Sequence, residues 1–60
     1  MTEPYKLMYK QVTILTAASV RRLEHALAVA GTIGDRQLQE VLMDSIRKAR
    51  EAVEMATDKI

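Results

Sequence analysis

The five residues Gly31-Thr32-Ile33-Gly34-Asp35 (GTIGD) hold both glycines of this 60-residue chain, and their reading decides the fold. Before them, no Gly or Pro interrupts the run from Tyr5 to Ala30. That run is built from residues that tolerate a helix well. Gly31 is expected to stop it in the left-handed conformation that a Cβ disfavours. Asp35 is placed to cap a second helix, its carboxylate accepting a backbone N–H two or three residues on. Thr32, three residues before Asp35, offers a rival capping pair that would shorten the turn. From Arg36 to Lys59 the chain is again free of Gly and Pro. At the other end Thr2 can cap a first turn containing Glu3 and Pro4, where the missing N–H of proline has no intrahelical partner to lose.

The expected fold is all-α: a single antiparallel two-helix hairpin over residues 1–60, with a helix at about 3–30, a turn at about 31–35 and a helix at about 36–59. Each helix would run roughly 35–40 Å. A short connection makes the two helices antiparallel neighbours. Folding about Ile33 faces Leu27 with Leu38, Leu23 with Leu42, Val20 with Ile46, Thr16 with Ala49, Val12 with Val53, Tyr9 with Ala56 and Tyr5 with Ile60. The hairpin seam is therefore expected at Val12, Val20, Leu23, Leu27, Leu38, Leu42, Ile46, Ala49, Val53 and Ala56. Close packing, aided by the small residues Ala49, Ala52 and Ala56, accounts for its outer half. Outward-facing pairs Arg36–Glu40, Asp44–Lys48, Arg47–Glu51 and Arg50–Glu54 stand at i,i+4 spacing, each worth about 0.2–0.5 kcal/mol.

Apolar residues remain once this seam is filled. The window Gln11–Val20 (QVTILTAASV) carries no charge on any side, and a helix of that kind is ordinarily covered on every side. Met8, Leu15, Ala26 and Val29 fall on one flank of the first helix, and Leu7, Ile14, Ala18 and Ala28 near its back. Val41, Ala52 and Met55 form a flank of the second. Leu7, Met8, Ile14, Leu15, Ala18, Val29, Val41 and Met55 are the candidate interface, since contiguous exposed apolar surface marks binding sites in soluble proteins. A chain this short also buries too little to be robust alone and needs a disulfide, a metal or an oligomer. With no Cys, a disulfide is excluded, and assembly into a four-helix bundle, as a dimer or with a helical partner, is the expected staple.

Several kinds of chemistry are disfavoured. Nine Lys and Arg against eight Asp and Glu give a net charge of +1, a weak pull on nucleic acid or anionic membrane. The single histidine, His25, has no carboxylate and nucleophile at triad spacing and reads as a surface or interface residue. At an interface, its protonation in acid could loosen assembly. Acidic pairs Glu40/Asp44 and Glu54/Asp58 lack the Glu-x-x-His pattern of a di-metal bundle and read as a solvated face. The two glycines make no phosphate loop. No catalytic residue, metal, cofactor, membrane span or small-molecule substrate is expected, and the chain is read as non-enzymatic. Without convincing targeting signals or cysteine, a cytoplasmic location is expected.

Two stretches flanking the turn, RRLEHAL (21–27) and RKAREAVEMA (47–56), resemble the small hairpin co-chaperones of type III secretion needle subunits. In outline the hairpin also resembles dimeric plasmid-encoded RNA-binding hairpins. The first resemblance implies a chaperone-like subunit covering a helix of a secreted or assembling partner, the second a small RNA-binding dimer. From the residues themselves, the expected function is protein–protein interaction: a small adaptor, regulator or oligomerisation subunit acting through an apolar helical face. The expected partner is a second copy or another helical protein.

Overall fold

The computed structural model describes residues 3–60, so the Thr2 cap lies outside the described residues. Two helices pack against each other: α1, Glu3–Ile33, and α2, Arg36–Thr57. The hairpin measures 47 × 14 × 9 Å, its long dimension set by α1. Its radius of gyration is 14.2 Å, where a compact chain of this length would have about 10 Å.

The turn sits later than Gly31. α1 runs through Gly31, Thr32 and Ile33, and Gly34 is the left-handed residue, at φ +83°. Gly34 N–H donates to Gly31 O (3.2 Å) and Asp35 N–H to Ala30 O (3.2 Å). Together these form the paired closure of a Schellman ending, which satisfies carbonyls the helix would otherwise leave open. Thr32 does not cap α2; its Oγ1 donates back to Ala28 O at 3.2 Å. The α2 cap is Asp35, whose Oδ1 accepts Leu38 N–H at 2.9 Å. Gly31 stays helical because glycine permits the left-handed state without requiring it. A Cβ there would lie 3.0 Å from Gln39 Nε2, the far end of a flexible side chain.

Relative to the facings expected about Ile33, the two helices are displaced by four residues, about one helical turn. The buried and half-buried positions of α1 are Lys6, Tyr9, Thr13, Thr16, Val20, Leu23, Leu27 and Ala30. On α2 the residues Gln39, Leu42, Ile46, Ala49, Val53 and Ala56 are covered at the same alternating spacing of three and four, the pattern of knobs-into-holes packing. Folded at Gly34, Ala30 falls opposite Gln39, Leu27 opposite Leu42, Leu23 opposite Ile46, Val20 opposite Ala49, Thr16 opposite Val53 and Thr13 opposite Ala56. Shared grooves agree with this: Leu27 lines one with Met43 and Ile46, and Ala17 and Val20 line another with Val53. The expected facings of Leu27 with Leu38 and Tyr5 with Ile60 are corrected. Leu38 is 42% exposed, Val12 45% and Tyr5 58%, because each lies one residue before a covered position and so about 100° round its helix from the seam.

The core is slight. Among the described residues only Val20, Ala30, Ile46 and Ala56 are buried, and two of the four are alanines. The seam's outer half is partly polar, and Thr13 Oγ1 turns its hydroxyl back to Tyr9 O at 3.0 Å. An alanine at position 31 should relieve the cost of a helical glycine, displacing only the mobile end of Gln39, and stabilise the hairpin by about 0.5–1 kcal/mol. Gly34→Ala should instead cost about 1 kcal/mol, since an L-residue resists that φ. Urea unfolding followed by circular dichroism at one protein concentration checks both signs. Opposite signs would return the helix stop to Gly31.

Candidate interaction face

Each helix carries a second stripe, one residue ahead of its seam. On α1 this stripe is Tyr5, Met8, Val12, Leu15, Ser19, Arg22, Ala26, Val29 and Ile33. On α2 it is Leu38, Val41, Ser45, Lys48, Ala52 and Met55. One residue is a rotation of about 100° about a helix axis, so the second stripes stand nearly at right angles to the seam. They share one side of the hairpin: Val12 from α1 and Ala52 and Met55 from α2 line a single groove, floored by Tyr9 and Ala56. No Asp or Glu occurs on either stripe. The large members are open, with Leu15 64%, Val29 50%, Val41 59% and Met55 67% exposed.

The opposite side is charged. Glu24 and Arg50 form an ion pair across the helices, Nη2 to Oε2 at 3.3 Å, within a groove also lined by Leu27, Ile46 and Arg47. Arg50 thus reaches across to α1 rather than along α2 to Glu54. Arg47 donates to Asp44 instead of pairing with Glu51, and Lys48 pairs with the same Asp44 at 3.1 Å. Of the four intrahelical pairs expected on α2, Asp44–Lys48 forms among the described residues. These are exposed pairs and contribute little to stability.

All eight residues of the candidate interface, Leu7, Met8, Ile14, Leu15, Ala18, Val29, Val41 and Met55, are exposed. They do not form one surface. Met8, Leu15, Val29, Val41 and Met55 belong to the shared apolar side. Leu7, Ile14 and Ala18 lie on the outer side of α1, away from both that face and the seam. Tyr5, Val12, Ile33 and Leu38 join the apolar side although the sequence reading left them out of the interface. Their signal was the alternation of three and four, which becomes legible once the reversal is set at Gly34. His25 is exposed on the outer side of α1, off the seam and off the apolar side. Arg21 and Arg22 are exposed as well, with Arg21 sharing a groove with Glu24 and Glu54. Among the described residues no three His, Asp or Glu side chains converge to hold a metal ion. None of their helices is long and apolar enough to cross a membrane.

The hydrogen bond from Arg47, then that from Lys48, hold the Asp44 carboxyl below its ordinary value of 3.8. A carboxylate with a lowered folded pKa stabilises the fold above the unfolded value and loses that contribution as pH falls through the folded one. The Asp44 contribution should therefore persist down to pH 3.8 and disappear only below it. An NMR titration of the Asp44 carboxyl should find its midpoint under 3.8, and Arg47→Ala should move it back up. An unmoved midpoint in that variant would remove Arg47 as the main cause.

No family model, curated protein or solved structure matches this chain.

Proposed function

We propose that the chain is a non-enzymatic protein–protein interaction module, a small adaptor, regulator or oligomerisation subunit that works through the apolar side of the hairpin. The observation that carries this reading is a side of two long stripes with no carboxylate and with Leu15, Val29, Val41 and Met55 each at least half exposed. Against it stands a core of only four buried residues among those described. Water is a poor neighbour for such a surface: covering apolar area is worth roughly 25 cal/mol per Å². A helical partner with an apolar stripe of its own is the complement, because it can lay side chains into the grooves between the two helices.

The charges and grooves are compatible with this reading. The exposed charges are paired or dispersed, and the grooves between the helices are shallow and open. The net charge of +1 also supports a protein partner over nucleic acid, whose binding depends on many cations meeting phosphates.

The double variant Leu15→Gln, Val29→Gln separates a working face from an idle one. Where the face is covered, urea unfolding should show a loss of about 2–4 kcal/mol, the cover of two large aliphatic side chains. A chain that assembles and whose assembly and stability change by less than about 0.5 kcal/mol, as expected of ordinary surface positions, sinks the reading.

A further inference from the structure

We infer that the occupant of the apolar side is a second copy of this chain, two hairpins closing face to face into a four-helix bundle. The inference rests on the interaction reading above and names its partner. In a four-helix bundle every helix touches two neighbours, at roughly right angles around its own axis. Both helices here already carry two stripes about 100° apart: the seam, which the hairpin fills, and the second stripe, which it leaves open. A bundle needs two more helices bearing the same pair of stripes. One further copy supplies both.

The surface area agrees in amount. The chain exposes 4852 Å², whereas a compact monomer of its 6.8 kDa would expose about 4,000 Å², an excess of roughly 900 Å². A stable interface of standard size takes about 800 Å² from each partner. One face-to-face contact between two copies therefore removes about the excess that the elongated hairpin carries.

The cations on the face fit the same arrangement. Arg22 lies on its stripe between Leu15 and Val29, and Lys48 on its stripe between Val41 and Met55; their long apolar stems can lie along the contact while the charged ends reach water. Lys48 is already paired with Asp44 at 3.1 Å. Ile14, at 69% exposed, lies on the outer side and stays out of this contact, which makes it an internal control.

Light scattering on the purified full chain, from low to high micromolar concentration, tests the inference, with circular dichroism on the same fractions. The expected mass is twice the 6.8 kDa of one chain. Leu15→Asp should halve that mass, and Ile14→Asp should leave it unchanged. Because the chain has no Cys, a single introduced thiol reports position even if an Asp variant fails to fold. A short bis-maleimide should join two copies of Ser19→Cys, on the face, and should not join Ala28→Cys, on the outer side. A folded monomer at every concentration overturns the second copy, as does a dimer that Ile14→Asp breaks and Leu15→Asp spares. A chain that is helical only once an acidic amphipathic helical protein is added also overturns it, while leaving the interaction reading in place. A dimer whose mass and stability are indifferent to both Leu15→Asp and the double variant Leu15→Gln, Val29→Gln removes both readings.

Discussion

The reversal at Gly34 governs the rest of the hairpin. A residue at φ +83° with two neighbouring N–H groups tied back to Gly31 and Ala30 sets the level at which one helix ends and the other begins. In an antiparallel pair that level is the register, because each residue toward one end of α1 is matched by one toward the other end of α2. A register one helical turn away would pair different seam residues, Leu27 with Leu38 in place of Leu42. Leu38 and Val12 lie one position ahead of the seam and are part of the open side. Asp35 reinforces the choice: its carboxylate holds Leu38 N–H and so starts α2 without delay.

The register explains why the core is weak and the open side strong. The seam of α1 contains Lys6, Thr13, Thr16 and Ala30, and that of α2 contains Gln39, Ala49 and Ala56. Small and polar side chains bring the helices close, yet they remove little apolar area from water. Leu23, Leu27, Leu42 and Ile46 supply most of the seam's apolar area, while Leu15, Val29, Val41 and Met55 stand on the other stripe. A chain of this size has few other sources of stability, lacking both a disulfide and, among its described residues, a metal cluster. A substantial part of its hydrophobic material faces outward, where only another surface can use it.

The two broad sides of the hairpin differ in chemistry as well as polarity. The Glu24–Arg50 pair crosses the helices on one side, and exposed charges there keep that side compatible with water. The other side has no carboxylate on its stripes and two cations among them, Arg22 and Lys48. This asymmetry favours one docking side over a molecule sticky all round. Leu7 and Ile14, on the outer side of α1, are the exceptions.

The sequence by itself determined the helices, their antiparallel order and the Asp35 cap, because helix formation and capping are local: they depend on the absence of Gly and Pro and on side-chain oxygens a few residues away. It also placed Met8, Leu15 and Val29 together on one flank, since helical periodicity needs no tertiary information. It pointed to Gly31 as the stop, the first glycine the helix meets, whereas the helix runs on to Ile33 and Gly34 is the left-handed residue. Only the packed structure decided between the two glycines, through the matching of covered positions along both helices. From that packing came the register, the membership of Val12 and Leu38, and the split of the interface candidates between two sides. Register is a property of two helices together, and a shift of one turn preserves every local preference while exchanging which side chains meet.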